Sequence, residues 1–157
     1  MPLLIELKAK DKIIINGAVI ENISNMNTKL MLHNRASILR EREILAVEDA
    51  STPASRIYYD LQCAYVFKEQ RAEHMEQFRQ NLGDYIAACP SASPIAKEID
   101  ALIEGDNYYK ALKKSKEILL HEAETLKSFN AALAQLLEEE ETAEVEGEDE
   151  AGERENT

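Results

Sequence analysis

The sequence contains few of the residue types from which catalytic and metal sites are usually built. It has three histidines, two cysteines, five glycines and no tryptophan. His33, His74 and His121 stand apart, without HExxH spacing or a nearby cysteine, so surface or structural roles are favoured over a metal site. The glycines form neither GxxxxGK nor GxGxxG, which argues against a phosphate-binding loop. We therefore expect no catalytic residues, no metal and no cofactor.

The two cysteines lie in segments that look helical and lack CxxC spacing. Cys63 and Cys89 have apolar neighbours that would raise a thiol pKa, so core packing is favoured over a nucleophilic role. Free thiols suit a reducing compartment. The charged residue Glu6 interrupts the apolar N-terminal residues too early for a signal-peptide h-region. No later apolar run approaches the roughly 20 residues of a membrane span. We predict a cytoplasmic protein.

The formal net charge of −12 is concentrated at one end of the chain. Residues 138–157 hold eleven acidic residues and one arginine, a net charge of −10, which leaves −2 for residues 1–137. Residues 1–42 reverse the sign, with seven basic and four acidic residues. Any anion-binding surface is therefore expected in the N-terminal part.

The first 40 residues show the pattern of short antiparallel strands. Residues 3–9 alternate apolar and polar positions, the period of a half-buried strand. Asn16-Gly17 stands between two β-branched runs, and both residues accept the positive φ of a type I′ turn, which predicts a hairpin. Residues 28–33 and 36–40 are interpreted as the fourth and fifth strands.

Helix signals begin near residue 51. Ser51-Thr52-Pro53 offers a capping hydroxyl followed by proline at the first helical position. Apolar residues at three- and four-residue steps predict one long helix or two in sequence as far as Cys89-Pro90. Ser93-Pro94 begins a short helix that Gly105 ends, and Asp106 is interpreted as the cap of a last helix.

The predicted fold class is α+β, with an N-terminal antiparallel β-unit of about five strands, a helical body of three to four helices and an acidic tail. Its boundaries are 1–49 for the β-unit, 50–137 for the helical body packed on it and 138–157 for the tail. The tail is expected to be disordered because its composition cannot bury enough apolar area to offset its ordering entropy.

Two further patterns have alternative interpretations. Leucines recur every seven residues from Leu112 to Leu133, which fits a homodimeric coiled coil or, as we favour, a seam packed on the helix that begins near Pro53. The pairs Tyr58-Tyr59 and Tyr108-Tyr109 could stack on bases, but each flanks a helix start, which favours capping and core packing.

A group of cations on the predicted strands is the candidate binding site. Lys29, Arg35, Arg40 and Arg42 lie on consecutive strands near one turn, and such a cluster binds RNA phosphates through counterion release. A solvated sheet edge explains the same charges equally well. The strands lack interleaved aromatic residues, so RNA contact there would depend on arginine and lysine rather than on base stacking.

Four blocks of the sequence, in order and at fitting spacing, resemble the FlbT family. They are NGAVIEN at 16–22, NRASILRE at 34–41, TPASRIYY at 52–59 and YYKAL at 108–112. The resemblance extends from Pro2 to about Leu126. It departs at residues 9–11, where the family pattern has a Pro-Gly type of turn, and at the acidic tail, which lies outside the pattern.

The resemblance implies a non-enzymatic regulator of alphaproteobacterial flagellum biosynthesis. Proteins of this family associate with the 5′ untranslated region of flagellin mRNA and promote its degradation, so flagellin mRNA is the implied partner. The alternative is an adaptor or chaperone whose helices hold flagellin or another flagellar regulator, with an indirect effect on the message. A homo-oligomer fits either function.

Overall fold

A computed structural model describes the backbone of residues 2–154 and the side chains of residues 2–145. Five strands precede four helices, so the predicted α+β class is confirmed. The strands are β1 (Leu3–Leu7), β2 (Lys12–Ile15), β3 (Ala18–Glu21), β4 (Thr28–Leu32) and β5 (Ile38–Arg40). The helices are α1 (Pro53–Val66), α2 (Arg71–Ala88), α3 (Ser93–Glu104) and α4 (Tyr108–Arg154).

The strands form two antiparallel sheets. β1 pairs with β4, and β2 lies between β3 and β5. In the second sheet Ile13 belongs to a small core with Ile5 and Leu7, whereas Leu39 belongs to the core formed by the helices. Because successive side chains of a strand point to opposite faces, this one sheet contributes to both cores.

The predicted hairpin is confirmed at Asn16-Gly17. Ile15 pairs with Ala18, and the turn residues have φ values of 50° and 87°, both positive as a type I′ turn requires. A Cβ at Gly17 would lie 3.1 Å from a ring carbon of Phe67, so glycine suits both the backbone and the packing here.

The turn between β1 and β2 contains a non-glycine residue with a positive φ. Lys10 has a φ of 66°, a conformation that glycine adopts more readily. The buried Asn22 side chain stabilises this region, since its Nδ2 donates to the carbonyl oxygens of Leu7, Lys8 and Met26 at 3.1, 3.1 and 2.8 Å. The side-chain amide of Asn22 therefore supports this turn from outside it.

Most helix ends lie where the sequence signals predict them. Thr52 caps α1 by accepting a hydrogen bond from the Ser55 backbone N–H at 3.2 Å. The region between Pro53 and Cys89 contains two helices. The cap of α4 is a correction: Asp106 has a φ of 56°, and Asn107 accepts from the Lys110 N–H at 3.3 Å. Gly105-Asp106 thus completes the turn, and Asn107 caps the helix that begins at Tyr108.

Helix α4 continues through the acidic segment as far as Arg154. Glutamate and alanine favour helix, and the last proline of the chain is Pro94. The side chains of residues 123–145 are all exposed, in agreement with the argument that this composition builds no core. Residues 155–157 of the predicted tail lie outside the described residues.

The chain divides into two compact units, residues 1–119 and residues 120–157. The first contains both hydrophobic cores. The largest fully buried residues of its helical core are Phe78, Leu39, Ile57, Leu61, Ile99, Leu112 and Ile118. Among the described residues, no helix combines the length and the apolar character that a membrane crossing requires.

Side chains on one face of α1 form hydrogen bonds to β5 and to the segment that follows it. Gln62 accepts from the Leu45 N–H at 2.8 Å and donates to the Leu45 carbonyl at 3.0 Å. The Tyr65 hydroxyl accepts from the Ile38 N–H at 2.9 Å and donates to the Ile38 carbonyl at 3.1 Å. Tyr58 donates to the Glu43 carbonyl. The spacing of these α1 residues places them on one helix face, which we call the α1 clamp.

Gln62→Ala should lower the free energy of unfolding by about 2 kcal/mol, because it leaves a partly buried donor and acceptor of Leu45 without partners. Gln80→Ala, on the exposed side of α2, is the matched control and should change stability little. Urea unfolding of both variants makes the comparison. Equal stability of the two variants would show that the α1 clamp contributes nothing.

Candidate nucleic-acid interface

Two of the predicted cations lie together at the end of β5. Arg40 is the last residue of that strand, and Arg42 lies in the 3₁₀ turn Glu41–Glu43 that follows. Both side chains are exposed and line a cavity of about 200 Å³, whose wall also includes Lys8 and Lys12. We call these four residues the basic rim.

The acidic residues near the basic rim leave its cations available. Glu6, Asp11 and Glu41 line the same cavity, and Glu41 Oε2 accepts from the Lys12 backbone N–H at 2.8 Å. Lys114 forms ion pairs with Glu98 and Glu117. Within residues 2–145, no ion pair of a rim cation is found.

A buried glutamate fixes the backbone that carries Arg40 and Arg42. Glu43 is 6% exposed. Its Oε1 accepts from the Tyr109 hydroxyl at 2.8 Å, and its Oε2 accepts from the Arg40 N–H at 3.2 Å. Since Tyr58 also donates to the Glu43 carbonyl, the turn is connected to both α1 and α4. The two arginine side chains thus extend from a rigid base, which lowers the entropy cost of binding.

The other two predicted residues lie elsewhere on the β-unit. Arg35 is exposed and lines a separate groove of about 420 Å³ with Asn16, Phe67 and Lys68. Lys29 belongs to the β1–β4 sheet, where it pairs across the strands with Glu6. The structure therefore brings together Arg40 and Arg42, and places Arg35 and Lys29 apart from them.

Sequence reasoning missed Lys8 and Lys12 as rim residues. The signal for Lys12 is the strand register, because Ile13 pairs with Arg40 and so places Lys12 beside Glu41. Finding that register requires knowing that β5 pairs with β2 rather than with β4. Chain order alone favours pairing between strands that are consecutive in the sequence.

Tyr109 connects the basic rim to the helical core. Its ring centroid lies 5.5 Å from that of Tyr65, and Lys113 Nζ lies 4.7 Å from its ring centroid. Burial, followed by the hydrogen bond and negative charge of Glu43, raises the pKa of Tyr109 to about 12, although Arg40 and Arg42 act to lower it. Tyr58 is buried, and the guanidinium carbon of Arg71 lies 4.0 Å from the ring centroid of Tyr108. These tyrosines pack within the protein, as the sequence analysis favours.

The described residues include no group of three or more histidine, cysteine, aspartate or glutamate side chains that could hold a metal ion. Burial raises the pKa of the Cys63 thiol, which disfavours the reactive thiolate. The candidate site is therefore a surface of charged groups suited to binding an anion.

The fold is that of a small α+β protein, and the turn after β5 carries a rigidly supported basic rim. Residues 3–126 match the family model described as "Flagellar protein FlbT". The chain belongs to the FlbT family.

The similarity to named relatives extends over nearly the whole length of those proteins. A "Probable flagellum biosynthesis repressor protein FlbT" of Caulobacter sp. (strain K31) is 31% identical over 80% of this chain and 97% of its own. A protein of the same description from Rhodopseudomonas palustris (strain TIE-1) is 34% identical over 80% of this chain and 98% of its own. No solved structure matches the chain.

Tyr109→Phe should make the protein less sensitive to alkaline pH. The folded protein binds the Tyr109 proton more tightly than the unfolded chain, whose tyrosine pKa is near 10.0. This stabilisation is complete below about pH 10 and is lost as the pH rises through about 12. Denaturant unfolding between these values should therefore show a shallower loss of stability in the variant. Tyr108→Phe, which removes no hydrogen bond to Glu43, is the control, and equal slopes in both variants would contradict the assignment.

Proposed function

We propose that this protein is a post-transcriptional repressor of flagellum biogenesis that associates with the 5′ untranslated region of flagellin mRNA in the cytoplasm and promotes its degradation. Membership in the FlbT family supports this proposal, as do the relatives described as probable flagellum biosynthesis repressors. The structural observation that carries it is the basic rim, with Arg40 and Arg42 exposed on a turn that Glu43 and the α1 clamp fix.

The basic rim supports binding through phosphates. Exposed guanidinium groups form paired hydrogen bonds with phosphate oxygens, and Lys8 and Lys12 add point charges at the same cavity. The nearby tyrosine rings have partners within the protein, so base stacking contributes little. The RNA is then recognised by the shape of its backbone, with Lys29 and Arg35 as outlying contacts.

Binding at a leader would repress the message without cleavage by the protein itself. A protein bound at the 5′ untranslated region blocks ribosomes, and a message without ribosomes is open to cellular ribonucleases. The proposed protein is thus a non-enzymatic regulator, whose action depends on how long it occupies the leader.

Exposed apolar residues of the β-unit favour a second candidate function, an adaptor for flagellin or another flagellar regulator. Leu4 and Met31 pair across β1 and β4 and are 55% and 52% exposed. Ile23 and Met26, in the loop before β4, are 79% and 75% exposed. Exposed apolar groups of this kind mark protein interaction sites.

Replacing both rim arginines should weaken binding to the flagellin leader RNA. The double variant Arg40→Ala with Arg42→Ala should reduce affinity at least about tenfold. It should also lower the steepness of log affinity against log salt by about 1 to 2, because each lost phosphate contact reduces that slope by about 0.7. Fluorescence anisotropy over a salt series, with a scrambled RNA of equal length, measures both quantities. Arg79→Ala, an exposed position on α2, is the matched control and should bind as the unmodified protein does.

Arg35→Ala and Lys29→Ala should each cost less than Arg40→Ala. If the double variant binds as tightly as the unmodified protein, the rim is not the contact surface. If the unmodified protein binds the leader only when flagellin is added, or with no dependence on salt, the adaptor function replaces the repressor mechanism proposed here.

A further inference from the structure

The distal half of α4 carries an apolar stripe that nothing within the described residues covers. Leu126, Phe129, Leu133, Leu136 and Leu137 are between 45% and 63% exposed. They recur at steps of three and four residues, so they share one helix face. All five lie in the second unit, and all but Leu126 lie beyond the family match, which ends at residue 126. The stripe is therefore a feature of this chain that the family assignment leaves unexplained.

The seven-residue leucine spacing divides into two parts with different environments. Leu112 is buried in the helical core, as expected of the internal seam that the sequence analysis favours. Leu126 and Leu133 are exposed, as the coiled-coil alternative requires of a monomer. Each interpretation thus describes one half of the spacing.

We propose that the stripe pairs with the same segment of a second copy of this chain, in an antiparallel coiled coil centred near residue 131. This register places Leu126 opposite Leu136 of the partner subunit and Phe129 opposite Leu133 of the partner subunit, and the two-fold symmetry repeats both contacts. The result is four consecutive apolar layers. The stripe is self-complementary in this register.

The residues beside the stripe allow close approach of an identical helix. Thr125, Asn130 and Ala132 flank it and carry no charge. Ten exposed side chains from two copies offer on the order of 1,000 Å² for burial, close to the lower limit for a specific interface. The expected dimer is therefore of moderate affinity.

The charges at the ends of the stripe select the antiparallel direction. Four consecutive glutamates, residues 138–141, follow the stripe. Parallel pairing would bring both sets side by side, whereas antiparallel pairing separates them by about 20 to 25 Å along the helix axis. At each end of the antiparallel pair only Glu122 faces a glutamate, Glu140 of the partner subunit. Salt should strengthen this dimer, the opposite of its effect on RNA binding.

Sedimentation equilibrium of the full chain without RNA tests the existence of the dimer. The unmodified protein should show a concentration-dependent monomer–dimer equilibrium that shifts toward dimer as salt rises. Leu133→Asp should weaken the dimer about 100-fold, because it introduces a charge into two central layers. Ala131→Asp is the matched control, since it adds the same charge about 200° away around the helix and should leave the dimer intact.

A charge reversal tests the direction. Glu122→Lys should tighten the dimer about fivefold or more, because an attractive pair with Glu140 replaces a repulsive one at both ends of the antiparallel arrangement. In a parallel pair the same change would place two lysines together and give no tightening. Glu124→Lys, off the stripe, is the control for net charge.

A monomer at every concentration and salt would overturn the proposal, as would a Leu133→Asp variant that dimerises normally. Tightening by Glu124→Lys as large as that by Glu122→Lys would reduce the effect to net charge and overturn the antiparallel register. Circular dichroism should show unchanged helix content in the variants, since the substituted side chains lie outside both cores. The result is independent of whether RNA binds the basic rim.

Discussion

The hydrogen bonds of the α1 clamp to the backbone of residues 38–45 connect the two halves of the first unit. This segment consists of the edge strand β5 and the residues after it, so the N–H and carbonyl groups that face away from β2 need other partners. Tyr58, Gln62 and Tyr65 supply them from one helix face. The position of the sheet against the helices, and hence of everything on the turn after β5, depends on this contact.

The candidate interface follows from that constraint. Glu43 lies where the turn, α1 and α4 meet, and its carboxylate has hydrogen-bond partners on both oxygens. Burial of a carboxylate is costly without such partners. Once Glu43 is satisfied in the interior, the flanking residues of the short turn must face outward, and two of those positions are Arg40 and Arg42. A buried anion thus orients two exposed cations without pairing with them.

The total charge gives a misleading impression of what the surface can bind. Most of the net negative charge, −10 of −12, belongs to residues 138–157, in the second unit, while the first 42 residues carry net positive charge. The charge of the whole chain therefore does not describe the charge at the basic rim, which lies within the first unit.

Signals within a few residues were sufficient to predict the Asn16-Gly17 hairpin, the helix start at Pro53, and the class and family of the fold. It misplaced the α4 cap by one residue, since Asp and Asn are both good caps. Tertiary packing places Lys12 at the same cavity as Arg40, leaves Arg35 at another, and buries Glu43 where it accepts from Tyr109. Lys12 and Arg40 are separated by 28 positions in the sequence, and Glu43 and Tyr109 by 66. Packing rather than local propensity brings such distant residues together.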